Sequence, residues 1–287
     1  TPESEPRVLL DPNTLSDDGT VALAGYSVSE DGSLLAYGLS SAGSDWQEWR
    51  VRDVDTGKDL AHHLQWVKFS GASWTRDGQG FFYSRYDEPK EGAEYKGANY
   101  YHKLCYHRVG TPQTADELVY ERPDQKEWGF AGHVTEDGDY LIIYVWIGTH
   151  RENGIFYRDL RTENGPVVEL LADFDAGYGI IGNDGPVLYC LTDLDAPMSK
   201  VVAIDVTEPD RANWREVIPE SKDALQTVSL VGDATAEWID LAGERGSDGG
   251  RSGAAGRARP EPHGTPPRPA FRFDRQRCGH GERRRRT

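Results

Sequence analysis

In α/β-hydrolases the serine nucleophile sits on an elbow, Gly-x-Ser-x-Gly, which places the hydroxyl on a strained strand-to-helix turn. Gly71-Ala72-Ser73-Trp74-Thr75 begins as such a word but lacks the final glycine, and it lies among strand-forming residues. Gly249-Gly250-Arg251-Ser252-Gly253-Ala254 is glycine-rich, with His263 and His280 further on, but no strand pattern leads into it and no helix pattern follows. Without those elements no fixed oxyanion hole forms, so Ser252 is expected to have no catalytic role and the catalytic set reads as empty. His102, Cys105 and His107 are zinc-ligand types. On a strand Cys105 and His107 share a face while His102 points the other way, so the three read as strand side chains rather than a metal site. His62-His63 reads as a solvent-exposed loop pair without a third ligand. Gly110-Thr111-Pro112 is a turn, not a phosphate loop, and no cofactor or metal is expected.

The elements that carry these residues repeat. Ser29-Glu30-Asp31-Gly32 precedes Ser33-Leu34-Leu35-Ala36-Tyr37, and Thr75-Arg76-Asp77-Gly78 precedes Gln79-Gly80-Phe81-Phe82-Tyr83. Thr135-Glu136-Asp137-Gly138 and Gly182-Asn183-Asp184-Gly185 lead into Tyr140-Leu141-Ile142-Ile143-Tyr144 and Val187-Leu188-Tyr189-Cys190. Asp-Gly supplies the positive φ angles of a tight hairpin turn, and the β-branched and aromatic residues after it suit a strand. The Asp-Gly pairs lie 46, 60 and 47 residues apart, close to the ~40–50 residues of a four-stranded propeller blade. Each copy continues with a second strand, such as Glu48–Val54 or Ile155–Leu160, and then a short outer strand such as Glu117–Glu121 or Val167–Leu171. The fold class is therefore all-β: a partial propeller of about four blades. Trp49, Trp66, Trp74 and Tyr106 are read as blade core rather than as platforms for nucleic-acid bases.

Charge divides the chain in two. Residues 1–240 carry 20 Lys+Arg against 43 Asp+Glu, whereas residues 241–287 carry 12 Arg against 5 acidic residues. So acidic a body argues against nonspecific nucleic-acid binding, which needs cations to displace counterions from phosphates. No apolar run reaches the ~20 residues of a membrane helix, and Thr1–Leu15 lacks the pattern of a secretory signal. Three cysteines are too few and too scattered for a disulfide framework, which suits a reducing, cytoplasmic compartment. The only methionine is Met198, so the reading frame is expected to start further upstream. The body is assigned to residues 1–233 and the tail to 234–287. From about Gly243 the tail has 9 Gly and 5 Pro with its 12 Arg, and almost no apolar periodicity. It is expected to be disordered, as the product of a shifted frame or as a basic interaction tail.

Longer words then mark a resemblance. The run Asp11-Pro12-Asn13-Thr14-Leu15-Ser16-Asp17-Asp18-Gly19-Thr20-Val21-Ala22-Leu23 resembles the prolyl oligopeptidase family of serine peptidases. So do Trp74-Thr75-Arg76-Asp77-Gly78, Phe82-Tyr83-Ser84-Arg85-Tyr86, His107-Arg108-Val109-Gly110-Thr111-Pro112-Gln113 and Trp214-Arg215-Glu216-Val217-Ile218-Pro219-Glu220. The similarity covers about Glu5 to Gly232 in order. It implies an α/β-hydrolase domain carrying Ser, Asp and His, covered by a seven-bladed propeller that admits short peptides for cleavage after proline and keeps folded proteins out. The matching stretch corresponds to the later part of the first blade through about the fourth.

By the same resemblance, Phe69 matches an aromatic bordering the subsite for the third residue before the scissile bond. Gly129 and Thr149 match positions that carry Met and Cys in some members. These two departures leave Phe69 as the cavity contact to weigh against ordinary sheet packing. Three functional readings follow: the gating portion of a truncated prolyl oligopeptidase, a free-standing propeller-like binding module, and an active hydrolase with an unrecognised site. The first is favoured, because the similarity ends at a break in composition. Partners implied are short proline-containing peptides, with no nucleic acid and no membrane. Self-association through open propeller edges is expected as well.

Overall fold

The computed structural model describes residues 6–90, 92, 99–231, 239–241 and 270–276, in two compact units, Thr1–Asp173 and Phe174–Thr287. The first unit holds three blades. Blade one is β1 (Val21–Val28), β2 (Leu34–Ser41), β3 (Gln47–Asp53) and β4 (Leu64–Val67). Blade two is β5 (Ser73–Trp74), β6 (Gly80–Arg85), β7 (Lys103–Arg108) and β8 (Glu117–Glu121). Blade three is β9 (Trp128–Val134), β10 (Tyr140–Ile147), β11 (Asn153–Asp159) and β12 (Val167–Leu171). Within each blade neighbouring strands are antiparallel and follow chain order, and Val67 pairs with Arg85 to join the first two blades into one sheet.

The second unit holds a fourth sheet of the same order: β13 (Tyr178–Asp184), β14 (Val187–Thr192), β15 (Lys200–Asp205) and β16 (Arg215–Ile218). After it β17 (Ala224–Val231) pairs antiparallel with β19 (Ala270–Gln276), and β18 (Ile239–Leu241) runs parallel to β19. The remainder of the tail from 242 onward lies outside the described residues.

The repeat has a physical basis in its turns. Ser29, Thr75 and Thr135 each donate the side-chain hydroxyl to the carboxylate two residues on, Asp31, Asp77 or Asp137, at 2.6–2.7 Å. The same carboxylate accepts the backbone N–H two residues further along at 3.0 Å in all three copies. The following glycine donates its N–H back to the carbonyl of the Ser or Thr. Positive φ falls on Gly32, Gly78 and Gly138 alone, not on the aspartates, so the Asp acts as a side-chain acceptor rather than as a second left-handed residue. The fourth copy differs. Asp184 pairs with Val187 and the turn is Gly185-Pro186, with the positive φ on Gly185.

The core of the first unit lies between adjacent blades. Ala36, Trp49, Val51, Leu64 and Val67 from blade one meet Trp74, Phe81, Tyr83 and Cys105 from blade two. Trp49 and Trp74 are therefore core, as their composition suggested, whereas Trp66 is only half-buried and sits in a left-handed conformation at φ 61°. Polar bonds stitch the blades together. Trp74 Nε1 donates to Ser27 O at 3.1 Å, and Ser84 Oγ donates to Phe130 O at 2.7 Å. The outward face of blade one, Leu35, Tyr37 and Leu39, is covered in part by Leu9 and Leu10. That segment is tied down by Arg52 Nη1 donating to Leu9 O and by Arg7 donating to the carbonyls of Val54 and Asp55.

Candidate functional site

One end of blades two and three gathers aromatic rings around a buried histidine. His102, 1% exposed, enters β7 with its ring stacked on Tyr86 at 4.5 Å, parallel to Phe130 at 6.3 Å and edge-on to Trp146 at 5.8 Å. Nδ1 accepts the backbone N–H of Phe130 at 3.0 Å. That assigns the ring proton to Nε2, which donates to Lys68 O at 3.2 Å. Burial lowers the His102 pKa to about 4, so the ring stays neutral at physiological pH.

The Lys68 carbonyl fixes the peptide that presents Phe69. Phe69 lies in the loop after β4, 47% exposed, in a left-handed conformation at φ 55°. A bulky side chain held at positive φ is uncommon and costs of order ~1–3 kcal/mol, which the surroundings must over-determine. Trp66 at φ 61° and Tyr101 at φ 62° share that conformation beside it in sequence or through His102. Lys68 Nζ stands 5.1 Å from the Trp46 ring centroid and 5.2 Å from that of Phe69. It also lies 3.2 Å from Asn99 Oδ1 and 3.5 Å from Asp45 Oδ2. The result is a rigid aromatic surface with one cation embedded in it, chemistry that suits an apolar or aromatic peptide side chain together with its carbonyl acceptors.

The other two positions picked from the sequence belong to the same end of blade three. Gly129 pairs with Trp146 across β9 and β10. A Cβ built on it would come within 2.2 Å of Trp146 Cε2, so the indole fills the space that a larger residue would use. Thr149 is exposed in the turn after β10, where His150 donates its N–H to Ile147 O at 3.1 Å. The structure thus links Phe69, through Lys68 and His102, to Trp146 over Gly129. Lys68, Tyr86, His102 and Trp146 are not legible as a site in the sequence. Their roles depend on left-handed backbone and on cross-blade stacking, and neither leaves a local pattern.

The remaining chemistry-bearing residues have other partners. Ser73 Oγ accepts the Val134 N–H at 2.8 Å and joins blade two to blade three. The His102-Cys105-His107 trio forms no shared site, because His102 uses both ring nitrogens on backbone groups while His107 bonds to Asp116 and His62. His62 corrects the expectation of a solvent-exposed loop pair: it is buried, because its ring is drawn inward to His107, while its neighbour His63 stays exposed and bonds to Glu48 at 2.7 Å. Burial pushes the Cys105 and Cys190 thiols up to about 11 and about 12, which suppresses the thiolate a nucleophile needs. Ser252, His263 and His280 lie outside the described residues.

Comparison with known proteins gives a consistent picture. Residues 1–236 match the family model of the prolyl oligopeptidase N-terminal β-propeller domain. The prolyl endopeptidase of Elizabethkingia meningoseptica is 37% identical over 219 residues, covering 76% of this chain and 31% of that protein. Prolyl oligopeptidase A of Amanita bisporigera is 38% identical over 236 residues, covering 75% of this chain and 31% of that protein. Among solved structures, prolyl oligopeptidase B from Galerina marginata bound to a 25mer macrocyclization substrate superposes with a TM-score of 0.70 at 32% identity, covering 76% of this chain and 32% of the other. The chain spans about a third of the length of the relatives it matches.

Proposed function

Because this chain belongs to the prolyl oligopeptidase family through its N-terminal propeller, we propose that it supplies the peptide-receiving and substrate-gating face of such a peptidase. The carrying observation is the exposed, left-handed Phe69, fixed by the Lys68–His102 bond beside the Trp146 surface. The ligand class is a short proline-containing peptide, in line with the peptide-bound relative. Cleavage belongs to the α/β-hydrolase part of the family, to which no Gly-x-Ser-x-Gly word in this sequence corresponds. The chain is read as cytoplasmic, its described cysteines being free thiols. No helix among the described residues is long and apolar enough to cross a membrane. We also read the open face of blade one, where Tyr26 is 68% exposed beside Val28 and Leu23, as a surface through which copies of the chain associate.

A Gly-Pro fluorogenic reporter tests the division of labour. The purified chain is expected to give no turnover above buffer. Turnover that persists in Ser252→Ala after repurification would place a working active site in the propeller itself and overturn the reading.

A further inference from the structure

A buried polar chain crosses the seam between blades one and two. The Gly110 N–H points at His62 Nε2 at 3.1 Å, His62 Nδ1 lies 3.0 Å from His107 Nε2, and His107 Nδ1 lies 2.7 Å from Asp116 Oδ1. The other oxygen of Asp116 accepts the Tyr83 hydroxyl at 2.7 Å, and Gln113 Nε2 donates to that hydroxyl at 2.9 Å. His62 stands in the β3–β4 connection of blade one, and every other member belongs to blade two. His107 has no exposed side-chain surface, and the Asp116 side chain is 4% exposed.

One backbone donor fixes every proton in this chain. A backbone N–H can only donate, so His62 Nε2 must accept and His62 Nδ1 must carry the hydrogen. His107 Nε2 then accepts from His62, leaving His107 Nδ1 to donate to Asp116. A second proton has no place to go without breaking the chain. On His62 Nε2 it would confront the Gly110 N–H; on His107 Nε2 it would confront the His62 Nδ1–H. Relief by flipping the His62 tautomer returns the conflict to Gly110.

We propose that this relay is a proton-operated latch between blades one and two, closed when both imidazoles are neutral and opened at the Gly110 turn by uptake of one proton. The groups facing it divide: burial and the His107 ring disfavour a charged His62, whereas the Thr111 backbone and the Asp116 carboxylate favour one. From blade two they are the Asp116 carboxylate, the Tyr83 hydroxyl and Cys105, whose thiol is held neutral by burial. The Phe81 ring lies 5.4 Å from His107. From blade one, the apolar Val51 and Leu64 share a core cluster with Phe81, Tyr83 and Cys105, while His63 and Glu48 pair on the exposed side of the loop. Asp116 is the anion that the relay touches, and it is already engaged by two donors. Burial and the neighbouring His107 ring lower the His62 pKa below its usual value of 6.5. The latch therefore holds fully above that value and weakens progressively as pH falls below it toward the lowered folded value.

The test uses the full wild-type chain, so no variant need fold. Amide hydrogen exchange, corrected for intrinsic rate, is followed at Gly110 and at Phe130 between pH 7.5 and 5.5, with ring-¹⁵N spectra of the histidines at pH 7.5. Both rings are expected as the Nδ1–H tautomer, and Gly110 protection is expected to drop about tenfold. Phe130, whose N–H is held by His102, should keep its protection over the same range. A proton on His62 Nε2 at pH 7.5, constant Gly110 protection, or parallel loss at Phe130 would each overturn the latch.

Discussion

The indole of Trp146 stands where a side chain on Gly129 would have to go, with Cε2 only 2.2 Å from the position a Cβ there would take. The two residues are paired across β9 and β10, and the ring that fills this gap is also the edge partner of His102. Gly129 and Trp146 thus act as one packing unit.

Gly129→Met is therefore expected to force Trp146 off its place and to destabilise the first unit by about 1–3 kcal/mol, the usual cost of overpacking a filled site. Gly129→Met combined with Trp146→Leu should recover part of that loss, because neighbouring substitutions in one packing unit are not additive. Chemical denaturation of the two single variants and the double variant measures this.

Stability should fall on acidification. The His102 pKa is lowered to about 4, against an unfolded value near ~6.5. The folded state then binds fewer protons than the unfolded state between those values, so stability declines as pH drops through the window. His102→Phe is expected to be less stable at pH 7.5, having lost the Phe130 N–H acceptor, and to show a shallower decline toward pH 4.5. Unfolding midpoints across that range check the slope.

Asp116→Asn should be costlier than Tyr83→Phe. Both oxygens of Asp116 receive donors, from His107 and from Tyr83, and an amide would turn one N–H toward a donor. A loss of about 1–3 kcal/mol is expected from the buried mismatch, against about 1 kcal/mol for the phenol hydroxyl alone. Equal losses in the two variants would contradict the assigned proton positions.

Self-association should respond to the open face of blade one. Tyr26 and Val28 lie on one face of β1, 68% and 47% exposed, and Val8 beside the covering segment is 77% exposed. Tyr26→Lys with Val28→Lys is expected to shift the chain toward monomer in size-exclusion chromatography with light scattering, since charge on an exposed strand opposes pairing. An unchanged mass distribution would remove this face from the association.

Much of the fold is legible in the sequence because its signals are local. The Ser/Thr-x-Asp-Gly turns mark three hairpins through bonds made within six residues, and the apolar runs after them form β2, β6 and β10, while β14 follows the divergent turn at Asp184-Gly185. The strands ahead of those turns are harder to read. β5 is only Ser73–Trp74, and β9 is interrupted by Gly129 and Gly132. Of the site, Phe69 is legible only by resemblance, since nothing in Val67-Lys68-Phe69-Ser70 announces positive φ. His62 reads as exposed in the sequence because its partners, His107 and Gly110, lie 45 and 48 residues away. Long-range pairing of that kind has no sequence period.

The central claim is that Phe69 and its supports form a peptide-receiving face. Its direct measurement is the fluorescence anisotropy of a labelled proline-containing peptide titrated with the full chain, wild type against Phe69→Ala. Saturable binding weakened roughly fivefold or more by Phe69→Ala is predicted, the loss expected when an exposed aromatic contact worth about 1 kcal/mol or more is removed. Binding of equal strength in both proteins, or no saturable binding to the wild type, would contradict it.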